Sequence, residues 1–373
     1  MLIYLKKIIL HRLHMQLKNP FQTSFGTLQT KDFFITELID EQGNHGFGES
    51  VAFPSPWYTE ETVETTQHML ERFLIPILFQ APIEHPDQVS HRFSIIRRNH
   101  MAKAAIEGAV WDLYAKRQAL PLATVLGGTR ETVEVGVSIG IQPTISELLD
   151  KIDGFVSEGY KRVKLKVKPG WDIDVVRAVR VAFPTLPIMV DANGAYSLKD
   201  IDHLKQFDAY NLLMIEQPFG ENDFIDHAKL QAELETPICL DESIHSLNDV
   251  QLADHLGSCT VISIKIGRVG GLSEAKKIHD FCAEHHIPVW CGGMLEAGVG
   301  RAHSIALSTL SEFQFPGDTS ASNRYWEKDI IQPEVTMQDG LITIPQSAGI
   351  GYAIDWESLE TYRVDHRKYS NEN

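Results

Sequence analysis

The sequence predicts an α+β N-terminal domain followed by a parallel (β/α) barrel of the TIM type. The main observation is a set of charged residues spaced at intervals of 24 or 25: Lys166, Asp191, Glu216, Asp241 and Lys265. Each of them ends, or nearly ends, a short apolar run, and a period of this size fits one strand, one helix and two loops. Charged side chains at the ends of successive buried strands form a polar ring at one end of a barrel, where barrel enzymes hold their catalytic residues.

The composition limits the class of protein. A length of 373 residues suggests about two domains, and a hydrophobic content of 43% is enough to build full cores. The net charge of −16 argues against nucleic acid and anionic membranes as partners. The four cysteines lie in or beside apolar runs without CxxC spacing. No signal peptide or membrane span is visible either, so we expect a cytoplasmic protein.

The N-terminal domain is predicted over residues 1–127. Apolar runs at 8–17 and 33–40 predict strands, and a loop rich in proline and aromatic residues then leads to a helix that Thr59 is expected to cap. Helices follow, and the glycines after Leu126 mark the end of the domain.

The barrel is predicted over residues 128–324. Its first strand is the apolar run 135–139, five more strands end at the charged residues of the repeat, and another ends at Cys291. The run 313–315 is a weaker candidate for the last strand, which gives about the eight strands that a closed barrel needs. From about residue 325 the chain is expected to leave the barrel and to pack back on the N-terminal domain.

Three neighbouring predicted strands present Asp191, Glu216 and Asp241. Three carboxylates that converge in a pocket repel one another unless a cation lies among them, and ligation by oxygen alone suits Mg²⁺. Any one of these residues alone would be interpreted as a helix cap. Three in register, between two lysines in the same register, favour a metal site.

The lysines indicate proton transfer. Lys164 and Lys166 share one face of a strand, so each is expected to lower the pKa of the other and to favour its use as a base. Lys265 ends a strand on the other side of the barrel. A substrate between them would meet an amine on each face and a metal at its edge, which suits removal of a proton next to a carboxylate. Arg268 is expected either to tune Lys265 or to bind a backbone carbonyl.

A family resemblance is carried by these residues together with their neighbours. The motifs are Lys164-Leu165-Lys166, Asp191-Ala192-Asn193, Ile215-Glu216-Gln217-Pro218, Asp241-Glu242-Ser243 and Lys265. As a set they resemble the enolase superfamily, in its muconate lactonizing subgroup, where lysine and Mg²⁺ act together. Further runs at 48–53, 168–172, 265–271 and 290–298 are similar to the o-succinylbenzoate synthase / N-succinylamino acid racemase family. This likeness covers nearly the whole chain.

The resemblance implies a role for each matching residue. Lys166 is the general base with Lys164 as its electrostatic partner, and Lys265 is the opposing acid, base or cation. The ligands of Mg²⁺, or of Mn²⁺ in its place, are Asp191, Glu216 and Asp241. Behind them lie Asn193, Glu242 and Arg268.

The resemblance also implies that the barrel is of a modified TIM type and that the N-terminal domain caps it. Loops of the cap, with Phe21, Phe25 and Tyr58, close over the substrate. The barrel contributes the other lining residues, Ser138, Met294 and Leu295. The enzyme is expected to be a homo-oligomer.

The implied reaction is the Mg²⁺-dependent dehydration of 2-succinyl-6-hydroxy-2,4-cyclohexadiene-1-carboxylate to 2-succinylbenzoate in menaquinone synthesis. The substrate is a small anion that bears a succinyl group. Racemisation of N-succinylamino acids by the two lysines is the alternative, and one site could serve both reactions. A barrel that binds a ligand without catalysis is the third hypothesis. The single Asp318, in place of an Asp-x-Asp motif, argues against a dipeptide epimerase.

Overall fold

The N-terminal part of the chain forms an antiparallel sheet with helices packed on it. The computed structural model describes residues 2–22 and 26–371. The elements of this part are β1 (Leu5–Gln22), β2 (Thr27–Asp40), β3 (His45–Glu49), α1 (Val63–Met69), α2 (Ile75–Phe79), α3 (Asp87–Arg92), α4 (His100–Arg117) and α5 (Leu122–Leu126).

Helix α4 lies close against β3 because β3 carries two glycines. A Cβ atom on Gly46 would lie 2.3 Å from the carbonyl oxygen of Ala109, and one on Gly48 would lie 2.1 Å from that of Ala105. Any larger residue would push the helix away from the sheet. The run from Gly46 to Gly48 therefore fixes the helix on the sheet that carries the loops facing the barrel.

The first helix begins later than predicted. Thr62, not Thr59, caps α1: its hydroxyl accepts the backbone N–H of Thr65 at 3.2 Å, and the Thr65 hydroxyl accepts the backbone N–H of Thr62 at 2.8 Å. The prediction of Thr59 was wrong because this reciprocal pair satisfies two free N–H groups at once.

The middle of the chain alternates strands and helices, as predicted. Its elements are β4 (Thr132–Glu134), β5 (Gly136–Ile139), α6 (Ile145–Ser157), β6 (Arg162–Lys166), α7 (Ile173–Ala182), β7 (Ile188–Asp191), α8 (Ile201–Leu204), β8 (Ile215–Glu216), α9 (Ile225–Gln231), β9 (Ile238–Leu240), α10 (Leu247–Leu256), β10 (Val261–Ile264), α11 (Ile266–Val269), α12 (Leu272–Glu284), β11 (Val289–Cys291) and α13 (Gly298–Leu307).

Strands β5 to β11 form one parallel sheet in chain order, which confirms the predicted barrel. The gap between β11 and β5 is closed by segment 313–317, which makes isolated parallel bridges from Phe313 to Val289 and from Gly317 to Val135. The predicted last strand is therefore reduced to two bridges. Pro316 has no N–H to donate to a continuous ladder.

The interior of the barrel is filled below the strand ends. A cluster of buried side chains occupies it: Met189, Met214, Cys239, Val261 and Trp290. This layer separates the carboxyl-terminal face of the barrel from its opposite end and forms the floor of the site described below.

The C-terminal segment returns to the N-terminal sheet. Its elements are β12 (Ile331–Gln332), β13 (Leu341–Thr343), β14 (Ala353–Ile354), α14 (Trp356–Tyr362) and β15 (Arg363–Ser370). β15 pairs with β1, so the sheet order is β15-β1-β2-β3, and β13 pairs with β4. The boundaries 1–127 and 128–324 remain our proposal for the two domains. No helix in the described ranges is long and apolar enough to cross a membrane.

Candidate active site

The carboxyl ends of strands β6 to β10 bring the charged residues of the repeat together. Strand pairing places Lys166 opposite Asp191, and Asp191 opposite Glu216. The Nζ atom of Lys166 donates to Asp191 Oδ2 at 2.6 Å, and that of Lys265 donates to Asp241 Oδ2 at 2.7 Å. The predicted polar ring is thus present at one end of the barrel.

Lys164 is buried among carboxylates. Its Nζ atom lies 2.9 Å from Asp318 Oδ2, 3.1 Å from Glu216 Oε2 and 3.5 Å from Asp191 Oδ2. Burial opposes its charge, but these three carboxylates outweigh burial and raise the pKa of Lys164. The expectation of a lowered pKa was wrong because neighbouring strands supply more negative charge than the second lysine supplies positive charge.

Glu216 differs from its neighbours. It is fully buried, and apart from the ion pair of Oε2 with Lys164 Nζ, neither of its carboxylate oxygens has a hydrogen-bond partner among the described residues. Burial and the adjacent charge of Asp191 raise its pKa well above the usual value for glutamate. For Asp191 and Asp241 burial acts in the same direction, yet lysine and arginine partners outweigh it and lower the pKa.

The residue types fit a hard divalent cation. Asp191 and Glu216 are in register, Asp241 follows the next strand, and the oxygens of Glu216, which accept no hydrogen bond among the described residues, could bind one. In the part of the chain that the structure describes, no three acidic, histidine or cysteine side chains are already grouped closely enough to hold an ion. The lysine ammonium groups contact these carboxylates instead.

Asn193 and Glu242 lie behind the carboxylates. Asn193 accepts a hydrogen bond from Lys166 Nζ at 2.7 Å and donates one to Glu242 Oε1 at 2.8 Å. Its backbone N–H donates to Asp191 Oδ1 at 3.0 Å. Through these hydrogen bonds Asn193 orients the Lys166 amine. Burial, with the charges of two aspartates, raises the pKa of Glu242 to about 7.

Arg268 combines both roles considered from the sequence. It is buried, and it donates to the backbone carbonyls of Ile244 and Ser263, each at 2.7 Å. Its Nη1 atom also pairs with Asp241, the same carboxylate that holds Lys265. The arginine thus fixes Asp241 between two cations.

A small pocket of about 70 Å³ lies above the lysines. Five of the predicted lining residues face it: Phe21, Tyr58, Ser138, Met294 and Leu295. The Tyr58 hydroxyl accepts a hydrogen bond from Lys265 Nζ at 3.0 Å, and burial raises the pKa of Tyr58 to about 12. Phe25 lies outside the described residues.

Several residues of the site were missed from the sequence. The lining residues that we did not predict are Leu28, Gly293, Asp318 and Tyr325, whereas Phe53 and Trp57 belong to the loop 53–58 that was expected to close over the substrate. Asp318 is central, since it holds both Lys164 and Arg162 at 2.9 Å. It follows directly on segment 313–317, and the rule that a charged residue ends each barrel strand would have found it.

Comparisons with known proteins agree with this architecture. Residues 6–127 match the model for the N-terminal domain of mandelate racemase / muconate lactonizing enzyme, and residues 147–358 match the enolase C-terminal domain-like model. A protein of Geobacillus kaustophilus named o-succinylbenzoate synthase is 59% identical over 97% of this chain and 96% of its own. One of Thermus thermophilus named N-succinylamino acid racemase is 45% identical over 96% of this chain and 97% of its own.

A solved structure is similar over the same extent. It is a crystal structure from Listeria innocua, described as a member of the enolase superfamily, with a TM-score of 0.97 and 49% sequence identity. The similarity covers 99% of this chain and 100% of that one. Cap and barrel are therefore shared with that protein as one arrangement.

Proposed function

Because the chain belongs to the enolase superfamily, we propose that it is an o-succinylbenzoate synthase. It dehydrates 2-succinyl-6-hydroxy-2,4-cyclohexadiene-1-carboxylate to 2-succinylbenzoate, a step of menaquinone synthesis. The observation that carries this proposal is the placement of Lys166 and Lys265 around one pocket, which both side chains line. Lys166 donates a hydrogen bond to Asp191 and Lys265 donates one to Asp241, two carboxylates at the same end of the barrel.

Lys166 is the base and then the acid of this reaction. Its neutral amine takes the proton from the carbon next to the ring carboxylate, while Asn193 holds the nitrogen in place. The ammonium group so formed gives this proton to the hydroxyl group that leaves from the neighbouring carbon on the same face. Water is lost, the C–O bond electrons leave with the oxygen, and the ring becomes aromatic.

Positive charge stabilises the anion that forms after proton removal. Mg²⁺, or Mn²⁺ in its place, held by Asp191, Glu216 and Asp241, would supply a Lewis acid for the substrate carboxylate. Lys164 lies beside the same carboxylates, and Lys265 provides a cation at the opposite side of the pocket. Because aromatic side chains line much of the pocket, these charges lie beside apolar surface, where they act more strongly than in bulk water.

Racemisation of N-succinylamino acids is the second candidate function. The contact that favours it is Arg268 on Asp241, since this arginine sets the electrostatics of the carboxylate that holds Lys265. In this reaction each lysine transfers a proton on its own face. Replacement of Lys265 by alanine should therefore abolish racemisation, whereas persistent racemisation would rule out a mechanism with two bases.

The proposal also covers the location, the assembly and the partners of the protein. We expect a cytoplasmic homo-oligomer that acts on a small succinyl-bearing anion. The acidic charge of the chain makes a nucleic acid or an anionic membrane an unfavourable partner.

The decisive experiment compares kcat/KM for both substrates with Mg²⁺ present. Loss of absorbance follows the cyclohexadiene carboxylate, and polarimetry follows an N-succinylamino acid. Dehydration that is faster by orders of magnitude supports a dedicated synthase, and comparable rates support a bifunctional enzyme. Absence of both activities would contradict the proposal and favour a barrel that only binds a ligand.

A further inference from the structure

The pocket above the lysines is too small for the whole proposed substrate. Its volume of about 70 Å³ is far below the roughly 300–1,000 Å³ of ordinary ligand sites. Two larger cavities adjoin it. The first, of about 340 Å³, shares Phe21 and Tyr325 with the pocket, and the second, of about 230 Å³, shares Trp57, Tyr58 and Asn193. The part of the substrate that does not react must extend into one of them.

Charge distinguishes the two cavities. The first is lined by Arg324 and Lys151, with Glu158 as its acidic residue, and we call it the arginine cavity. The second is lined by Glu221 and Glu242 and, among the described residues, by no lysine or arginine. The succinyl arm of the proposed substrate ends in a carboxylate. Because two glutamates repel a carboxylate and a guanidinium attracts one, the arm belongs in the arginine cavity.

Arg324 is held in place without an acidic partner. Its guanidinium carbon lies 4.9 Å from the centre of the Phe155 ring and 5.4 Å from that of Tyr325. Its Nε atom is buried without a hydrogen-bond partner, and across residues 2–22 and 26–371 no hydrogen bond or ion pair of this side chain is found. Two aromatic rings therefore orient a guanidinium whose N–H groups remain free for a ligand.

Arg301 makes a useful contrast, since it contacts the same ring. Its guanidinium carbon lies 5.3 Å from the centre of the Tyr325 ring, but its two terminal nitrogens donate to backbone carbonyls, including that of Ala321 at 3.2 Å and that of Glu296 at 2.5 Å. Arg301 thus has a structural role that its contacts explain. The Nε atom of Arg301 is also buried without a partner, so the two arginines differ in their terminal nitrogens, which in Arg324 donate to no acceptor among the described residues. Donors without an acceptor cost free energy where they are desolvated, unless a ligand satisfies them.

We propose that Arg324 binds the terminal carboxylate of the succinyl arm, within the arginine cavity, while the carbon next to the ring carboxylate lies between Lys166 and Lys265. This inference rests on the proposed function and adds to it the residue that recognises the non-reacting end of the substrate. The planar guanidinium can donate two parallel hydrogen bonds to a carboxylate, which lysine cannot do.

The test compares two ligands that differ only at the end of the arm. Calorimetry with Mg²⁺ present measures the Kd of 2-succinylbenzoate and of 2-butanoylbenzoate, in which a methyl group replaces the terminal carboxylate. For Arg324→Gln we expect the Kd of 2-succinylbenzoate to rise roughly 10- to 100-fold, as for a lost hydrogen bond to a charged group, while that of 2-butanoylbenzoate stays unchanged. Arg324→Lys should recover part of the affinity.

The controls separate the possible failures. Arg177→Gln, at an exposed arginine on α7 whose partner is Asp174, should leave both ligands unaffected. If Arg324→Gln weakens both ligands equally, or neither, the arginine does not recognise the carboxylate and the inference is wrong, although the proposed function stands. If the unchanged protein binds neither ligand, the proposed function fails as well. Thermal unfolding of each variant shows that it is folded.

Discussion

Two buried glutamates, one between the domains and one in the catalytic pocket, have opposite surroundings. Glu107 on α4 accepts hydrogen bonds from Trp111 Nε1 at 2.8 Å and from the backbone N–H groups of Leu272 at 2.7 Å and Ser273 at 2.8 Å. Glu216, equally buried, has no hydrogen bond to either oxygen among the described residues. Burial raises the pKa of both.

Glu107 therefore stabilises the fold, whereas we propose that Glu216 binds the metal ion. Glu107 joins the N-terminal domain to the first turn of α12, where backbone N–H groups and the helix dipole favour a carboxylate. Glu216 has no such hydrogen bonds, and only the ion pair of its Oε2 atom with Lys164 Nζ at 3.1 Å offsets its burial, so its oxygens cost stability in the protein alone. Such an arrangement is typical of a site that a ligand completes.

The largest effect should come from the pocket itself. Lys166→Ala removes the proposed base, and we expect kcat for dehydration to fall roughly 100- to 10,000-fold, the usual range for one acid–base group. Lys199→Ala, an exposed lysine outside the site, is the matched control and should keep full activity. Circular dichroism should show both variants folded. Activity near that of the unchanged protein in Lys166→Ala would remove the base from the mechanism.

A smaller effect, on the free energy of unfolding, tests the comparison of Glu107 with Glu216 directly. With a chelator present, Glu107→Gln should lower the free energy of unfolding by about 1–3 kcal/mol, because the amide leaves part of a buried hydrogen-bond set unsatisfied. Glu216→Gln should lower it less, since the oxygens of Glu216 accept no hydrogen bond among the described residues and only the contact with Lys164 is changed. Urea titrations measure both. The reverse order would mean that Glu216, not Glu107, belongs to the scaffold.

The smallest effect is a pH dependence at Glu61. This carboxylate accepts the backbone N–H groups of Met101 and Ala102 at 2.9 and 3.0 Å, and burial raises its pKa from 4.5 to about 7. For a raised pKa of an acid, the stabilisation is complete below pH 4.5 and is lost as the pH rises toward 7.

Relative to Glu61→Gln, the unchanged protein should therefore lose about 1 kcal/mol of unfolding free energy between pH 5 and pH 6. The loss cannot exceed the value that the release of one proton allows over one pH unit. Urea titrations at the two values measure the difference. A gain in relative stability over this interval would show that the two N–H donors outweigh burial, and Glu61 would then differ from Glu107, whose pKa burial raises.

The sequence predicts the positions of the charged residues better than their contacts. The period of 24 or 25 residues was sufficient to place them at one end of the barrel, because parallel strands that recur at equal intervals along the chain have their ends in register. The pairing of Lys166 with Asp191 shows this register. The partners of Lys164 were not predictable, since they come from three other segments and depend on distances across the barrel. Segment 313–317 carries only a weak strand signal, because Pro316 and Gly317 interrupt it, so Asp318 can be placed only by extending to this segment the rule that a charged residue ends each barrel strand.

The binding of Mg²⁺ to three proteins, measured by calorimetry without substrate, is the most direct test of the proposed metal site. We expect the unchanged protein and Glu107→Gln to bind Mg²⁺ with similar affinity, while Glu216→Gln binds at least about tenfold more weakly, a loss of roughly 1.4 kcal/mol or more. Equal binding by all three, or no binding by the unchanged protein, would contradict the proposal that the carboxylate of Glu216 is a metal ligand.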